Sequence, residues 1–375
     1  MKIKIVVVAA LFLAAPAATT AADLYGDIPD SSHAWSVHDM NRPKPSRVIP
    51  AATCAGAPSD AVVLFDGTKE SFEKNWCDSK GNPSKWSYSD EGYFFSKPGW
   101  SNGGNVYTRA KFGDCQLHIE YRHDPKRLYD NKGPQMRGNS GVFLMGNYEV
   151  QVLESYYTSR EDCSVDNYTD GQAGSVYAEN PPLVNPARKP GEWQVYDIIF
   201  HQPVWEGGKL LHPGSITVFF NGVLVQDHWE MEGLTTHCRR RALAPHETAL
   251  PMFLQDHGCV VQFRNVWYRP IPSRWANTTC SKMSAKESDV MELRRATAAK
   301  LFAKIADPKA VSASNLKALA EVVSYANEGA YKVAFTECLN AYRAKKGNKR
   351  EVDSVNKTLN VLVRCGVISK GDLIK

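Results

Sequence analysis

The sequence predicts a mainly β fold: a two-sheet, jelly-roll sandwich over residues 61–272, followed by a small all-α region over 282–375. Three observations predict it. About a dozen short β-type runs follow one another from Ala61, with no long helical pattern between them. Turn signals separate those runs, the clearest being Asn221-Gly222 inside SITVFFNGVLVQD (215–227), placed for a type I′ hairpin. After Trp275 the apolar spacing changes to a helical period.

The elements follow in order. Lys2 and Lys4, the apolar run Ile5 to Ala17 and the small residues Ala21-Ala22 fit a secretory signal over 1–22. The run is short for a membrane span, and no later run is long enough, so a periplasmic or secreted protein is expected. Residues 23–60, rich in Pro, Ser and Asp, read as an extended arm or linker. Expected strands are AVVLFD (61–66), KWSYS and YFFS around the Asp90-Glu91-Gly92 turn, NVYTRAKF, and CQLHIEYRH (115–123). GVFLM and NYEVQVLES follow, joined at Gly146-Asn147, then QVYDIIFHQP (194–203), the 215–227 hairpin, MFLQDHG (252–258) and VVQFRNVWYRP (260–270). Two long polar connections, 123–140 and 155–193, flank the GVFLM–NYEVQVLES pair. Loops of that length in a compact domain usually carry function, so they are expected to wall a site. In the tail, Ser284 to Glu287 resembles a capping box, and Val290, Leu293, Leu301 and Ile305 form a core-facing stripe that ends at Asp307-Pro308. A helix from Leu316 stops near Gly329, and two more cover Val333 to Tyr342 and Val355 to Cys365. This tail reads as a small bundle capping the rest, since no catalytic cluster falls in it.

Charge and cysteine content narrow the class. Residues 281–375 hold 18 Lys/Arg against 10 Asp/Glu, and the remainder 27 against 30. The basic excess is a broken, solvated helical surface, so no nucleic-acid partner is expected. Nine cysteines without CxxC or Cys/His zinc spacing suit disulfide staples plus a buried thiol in an oxidising compartment. There is no phosphate loop, no GxSxG elbow and no HExxH. A divalent metal held by carboxylates stays open, although no spacing indicates one.

Two places carry candidate chemistry. In an extended chain Glu149 and Gln151 share a face. Strict alternation puts Glu154 on the opposite face, and a one-residue bulge would bring it back. Glu149 and Glu154 on one surface would make an acid/base pair, with Gln151 between them and Arg137 and Asn139 supplying donors from the preceding strand. In LQDHG, Gln255 and His257 share a face and Asp256 does not. His257 suits general acid/base work because an imidazole titrates near neutrality. Trp193, at the mouth of KPGEW, is the best aromatic candidate for stacking on a sugar. Tyr121, Tyr148, Tyr196 and Trp267 read as packing residues.

LFDG (64–67), RGNSGVFL (137–144), YEVQVLES (148–155), the PP…PGEWQVYDI run (181–198), FFNGVLVQD (219–227) and LQDHG…VQFRNVW (254–267) together resemble the 3-keto-disaccharide hydrolase family. It is also called 3-keto-glucoside 1,2-lyase/3-keto-2-hydroxy-glucal hydratase, and the resemblance covers about Ala61 to Ile271. It implies a concanavalin-like sandwich. Glu149, Gln151 and Glu154 echo the E-x-D-x-x-E signature of sandwich glucanases, with Gln151 replacing the central acid. The implied reaction starts from a sugar already oxidised at C3, so a sugar 3-dehydrogenase is the implied upstream partner. The C3 carbonyl acidifies the C2 proton; a base removes it, the C1 substituent leaves, and water adds to the enone, giving net hydrolysis. Glu149 or His257 is the expected base and Glu154 the expected acid. Arg137, Asn139, Gln151, Trp193, Gln255 and Asp256 are expected to bind the carbohydrate. Two other classes compete: a direct glycosidase using Glu149 and Glu154, and a non-catalytic carbohydrate-binding sandwich.

Overall fold

Alternation along the chain builds the sandwich. In CQLHIEYRH, Cys115, Leu117, Ile119 and Tyr121 turn into the core, while Gln116, His118, Glu120 and Arg122 turn away from it. The computed structural model describes residues 24, 26–99, 103–128, 135–156, 168–272, 287–345 and 347–375. The proposed signal, most of the capping box at Ser284, and Cys163 and Cys280 lie outside the described residues.

The strands are β1 (Val62–Phe65), β2 (Trp76–Cys77), β3 (Ser87–Ser89), β4 (Tyr93–Phe95), β5 (Val106–Phe112), β6 (Cys115–His123), β7 (Ser140–Leu144), β8 (Tyr148–Val152), β9 (Gln194–His201), β10 (Val204–Glu206), β11 (Lys209–His212), β12 (Ser215–Phe220), β13 (Val223–Glu230), β14 (Leu250–Leu254) and β15 (Val261–Pro270). An eight-stranded sheet runs β13-β12-β9-β6-β15-β4-β3, with β1 also paired to β15. A five-stranded sheet runs β2-β5-β14-β7-β8, and β10-β11 form a separate ribbon. The two large sheets face each other over one apolar core. Leu117, Tyr196, Phe220 and Phe263 come from the first sheet, and Val142, Leu144, Val150 and Met252 from the second. A short helix, α1 (Lys69–Asn75), capped by Thr68, packs Phe72 against Phe94. Neither α1 nor the short strands β2, β10 and β11 is legible from periodicity.

The turns follow their chemistry. Asn221 and Gly222 both take positive φ (51° and 80°) and close the β12-β13 hairpin as expected. The β7-β8 turn falls one residue earlier than expected. Met145 and Gly146 take the left-handed positions (φ 50° and 68°), and Asn147 already donates its N–H to the Leu144 carbonyl at 3.0 Å.

The chain divides into two compact units: residues 45–276, and the described parts of residues 1–44 and 277–375. The expected 23–60 arm is therefore shared between the units. In the helical unit, α2 (Glu287–Phe302), α3 (Ala313–Tyr325), α4 (Gly329–Lys345) and α5 (Lys349–Arg364) pack Leu316, Leu319, Leu339, Leu359 and Leu362 together. Ser312 and Asn348 cap α3 and α5. The arm's Asn41 donates to Glu321 at 2.7 Å, and Trp35 meets Tyr325 edge-on. No described helix is long and apolar enough to cross a membrane. The expected staples are not seen: Cys54, Cys77, Cys115, Cys238, Cys259, Cys338 and Cys365 are free thiols.

Candidate active site

On the face of the five-stranded sheet turned away from the core lies a cavity of about 570 Å³. β7 and β8 pair so that Phe143 faces Glu149 and Gly141 faces Gln151. Tyr148, Val150 and Val152 point into the core, so Glu149 and Gln151 point into the cavity. Asn139, just before β7, and Gln255 and His257, just after β14, complete the sheet side. Phe143 stacks on Phe253 at 4.2 Å, which gives the cavity an apolar patch.

Glu149 is 3% exposed, and no described side chain or backbone N–H bonds its carboxylate. Burial pushes that carboxyl well above the ordinary range. Gly141 makes the space for it. A Cβ on Gly141 would stand 2.2 Å from Glu149 Oε1 and 2.8 Å from Phe143 Cε2. Gln151 is 1% exposed and donates to Gln135 Oε1 at 3.1 Å. Its own Oε1 is buried with no hydrogen-bond partner among the described residues, and so is Gln255 Oε1. Buried acceptors of this kind are costly unless a donor arrives, and sugar hydroxyls are such donors. Asn139 donates to the Gln135 carbonyl at 2.6 Å and presents Oδ1 toward Gln151. Burial holds the His257 pKa below its ordinary value, and the nearby His237 adds to that lowering.

Loops close the other side. Tyr177 donates its backbone N–H to the Glu149 carbonyl at 3.1 Å, and Thr235 Oγ1 accepts from the Glu149 N–H at 3.0 Å. The exposed edge of β8 thus anchors two loops over its own carboxylate. Those loops bring Tyr168, Tyr177, Thr235, Thr236 and His237 to the cavity. Tyr177 Oη lies 2.9 Å from Tyr168 Oη and 3.0 Å from His237 Nδ1, and His237 Nε2 lies 3.1 Å from Cys238 Sγ. Burial, and then the hydrogen bond shared with Tyr168, raise the Tyr177 pKa, so its phenol keeps its proton at neutral pH. Sequence reading does not single out these five residues. Loop length is the signal that reaches them: Tyr168 and Tyr177 lie in the 155–193 connection expected to wall a site, and Thr235, Thr236 and His237 in the long β13–β14 connection, 231–249.

Several expected site residues stand elsewhere. No bulge returns Glu154 to the Glu149 face. Its carboxylate pairs with Arg137 at 3.2 Å, both residues are 2% exposed, and its other oxygen accepts the Tyr156 N–H at 2.8 Å. Neither Glu154 nor Arg137 lines the cavity. Asp256 also points away. It accepts from the Gly103 and Gly104 N–H groups at 3.1 and 2.8 Å and from Gly258 at 3.1 Å, pinning the loop that carries its neighbours. Trp193 sits on the outer face of the eight-stranded sheet, because alternation along β9 sends Tyr196, Ile198 and Phe200 inward. There Arg122 and Arg264 lie over its ring at 4.6 and 4.1 Å. Beside it His118 bonds Asp197 at 2.7 Å, and Glu120 takes Arg264 at 2.6 Å and Asn265 at 2.8 Å. Burial opposes the His118 charge, but the two carboxylates outweigh it and hold its pKa at about 9. That network satisfies itself and reads as structure.

Among the described residues no group of three or more His, Cys, Asp or Glu is placed to hold a metal ion. Glu149, His237 and His257 are the cavity groups with cation-binding chemistry. The sheet side offers one desolvated carboxylate and unsatisfied amide oxygens, and the loop side offers phenol and imidazole protons. The arrangement suits proton transfer on a polyhydroxylated ligand.

A crystal structure of a candidate glycosyl hydrolase from Parabacteroides distasonis ATCC 8503 is 38% identical, with a TM-score of 0.54, covering 61% of this chain and 93% of that one. A second structure from the same organism, also named as a candidate glycosyl hydrolase, is 17% identical over 60% of this chain and 100% of that one, with a TM-score of 0.41. A Bacillus licheniformis β-glucanase is 11% identical over 56% and 98%, with a TM-score of 0.26. The curated proteins contain no match. The model of the 3-keto-alpha-glucoside-1,2-lyase-like domain matches residues 60–269, the whole sandwich from β1 almost to the end of β15. The chain therefore belongs to the family of 3-keto-alpha-glucoside-1,2-lyase-like domains and is a carbohydrate-active enzyme.

Proposed function

We propose that this enzyme cleaves 3-keto-glycosides by β-elimination across C1–C2, with water adding to the enone so that the net result is hydrolysis. One observation carries the reading: among the described residues lining the cavity, Glu149 is the only carboxylate, and it is desolvated and without a hydrogen-bonding partner. A paired-carboxylate glycosidase needs a second acid facing the first across the bond. Glu154 does not offer one, being held by Arg137 outside the cavity. Abstraction of a carbon-bound proton needs a single strong base, and stripping donors and water from a carboxylate makes it more basic.

In this mechanism Glu149 takes the C2 proton. The C2–H electron pair moves into the C2–C3 bond, and the C3 oxygen becomes an enolate. The Gln255 amide and His257, both on the cavity wall, receive that oxygen. Burial lowers the pKa of His257 and so favours its neutral form, which serves there as a polar neighbour. The enolate then re-forms the C3 carbonyl and its electrons expel the C1 substituent. Tyr177, positioned between Tyr168 and His237, gives the leaving oxygen its proton. Gln151 and Gln255 accept hydroxyl hydrogen bonds through their open Oε1 atoms. The Phe143–Phe253 stack underlies the ring. The basic, apolar and small-residue pattern of the first 22 residues supports a periplasmic or secreted site of action, and the substrate would come from an upstream sugar 3-dehydrogenase.

The test is a paired assay with a 3-keto-glucoside and its unoxidised parent. Aglycone release from the keto compound alone is expected. Cleavage of the parent alone would overturn the elimination mechanism, and saturable binding of both without turnover would favour a carbohydrate-binding module.

A further inference from the structure

Beside the catalytic cavity lies a second one of about 270 Å³, and the two share Tyr177, Thr235 and Thr236 as a common wall. Its far side is formed by Arg239, Arg240 and Arg241. All three are exposed, and their guanidinium groups make no ion pair or hydrogen bond with any described residue. Their backbone is fixed instead. The Leu234 N–H donates to the Arg241 carbonyl at 2.9 Å, Thr236 Oγ1 donates to the Arg239 carbonyl at 2.7 Å, and Gly233 bridges Ala242. Gly233 permits this closeness, since a Cβ there would stand 2.1 Å from the Arg241 oxygen.

Two carboxylates share the cavity, and neither neutralises the arginines. Glu179 is occupied by Trp229 Nε1 at 3.2 Å and by the N–H groups of Glu232 and Gly233 at 3.1 and 2.8 Å. Burial raises its pKa, which weakens its charge further. Glu232 is exposed to solvent. The chain outside the helical tail is slightly acidic, 27 Lys/Arg against 30 Asp/Glu, so three adjacent cations at one rim are a local exception. Guanidinium forks match the oxygens of carboxylate, sulfate and phosphate groups.

We propose that the second cavity receives the leaving half of the substrate and that this half carries an anionic group, met by Arg239, Arg240 and Arg241. The inference rests on the reading of the first cavity as the sugar site. Tyr177 supports the connection: it donates at the glycosidic oxygen and lines both cavities, so the sugar and the leaving group lie on its two sides.

The test compares phenyl, 4-carboxyphenyl, 4-sulfophenyl and 4-phosphophenyl 3-keto-glucosides at low salt. At least one anionic substrate is expected to exceed the phenyl compound about tenfold or more in kcat/KM, with the preference shrinking as salt rises. The ratio should fall to near one in the Arg239→Ser/Arg240→Ser/Arg241→Ser variant and persist partly in the triple lysine variant, which keeps the charge. The three arginines are exposed, so the comparison is made on folded protein checked by its thermal transition. A wild-type ratio near one, or a ratio unchanged in the serine variant, overturns the proposal. Calorimetric titration with the four unoxidised glucosides separates this inference from the reaction. Anion-dependent binding that vanishes in the serine variant, with no keto compound turned over, sinks the elimination mechanism and keeps the subsite. Turnover without anion preference does the reverse.

Discussion

Replacing Gly141 by alanine tests the role of Glu149 without changing that residue. Gly141 does not occupy the left-handed region, so its backbone accepts a side chain. The added Cβ would lie 2.2 Å from Glu149 Oε1 and 2.9 Å from its Cδ, where ordinary contact begins at 3.4 Å. The carboxyl must therefore retreat by about 1 Å, and a misplacement of that size at a reacting group costs about 10²-fold in rate. The Phe143 ring, 2.8 Å from the new carbon, must give way as well, so Phe143→Leu alone is measured as a control for its part in the loss. The strand itself should tolerate the change, since alanine is favoured over glycine in a strand by about 0.5–1 kcal/mol. The assay is kcat on a 3-keto-glucoside for wild type, Gly141→Ala, Glu149→Gln and the double variant, with thermal transitions alongside. Glu149→Gln should lose about 10²–10⁴-fold as a general base. The double variant should lose little more, because both changes act on one group. A wild-type kcat in Gly141→Ala, or a full additional loss in the double variant, would refute the assignment.

Three further outcomes follow from the same geometry. Glu149 is buried with a raised pKa, so the folded state keeps its proton above pH 4.5, where the unfolded chain loses it. Stability therefore falls as pH rises from 4.5 through the raised folded value, and Glu149→Gln should melt higher than wild type near pH 8 and equally near pH 4. The same titration should give kcat/KM an acid limb centred above the usual carboxylate range; a midpoint at that range would contradict the desolvated base. Tyr177→Phe removes the hydroxyl between Tyr168 and His237, and should slow release of alkyl leaving groups by about 10²-fold while affecting nitrophenyl release little. Equal losses on both would count against Tyr177 as the acid. Glu154→Gln leaves the buried Arg137 without its carboxylate and should cost about 3–5 kcal/mol of stability, read by urea unfolding, with kcat per folded molecule retained.

Alternation made much of the sandwich readable. It separates Leu117 and Tyr121 from His118 and Glu120 on β6, and sets Glu149 and Gln151 on the face opposite Val150. The same rule, applied without a bulge, places Glu154 away from Glu149, and applied to β9 it turns Trp193 outward. The loop side of the site was less legible, because nothing in a single sequence says which loop will lie on which strand edge. Tyr177 and Thr235 reach Glu149 through hydrogen bonds to the β8 backbone, and backbone pairing leaves no mark on side-chain type. Asp256 shows the related difficulty. A carboxylate beside a candidate histidine suggests chemistry, yet its oxygens are spent on the N–H groups of Gly103, Gly104 and Gly258. The seven free thiols show that the count of cysteines alone does not imply bridges.

The most direct test of the account is exchange at C2. Wild-type enzyme, Glu149→Gln and Tyr177→Phe would each be incubated with a 3-keto-glucoside in heavy water, with and without a chelator, and deuterium at C2 followed by NMR. Deuterium entering C2 with wild-type enzyme and with Tyr177→Phe, but not with Glu149→Gln, is the predicted result. Aglycone release with no deuterium at C2 of substrate or product, or undiminished exchange in Glu149→Gln, would contradict it.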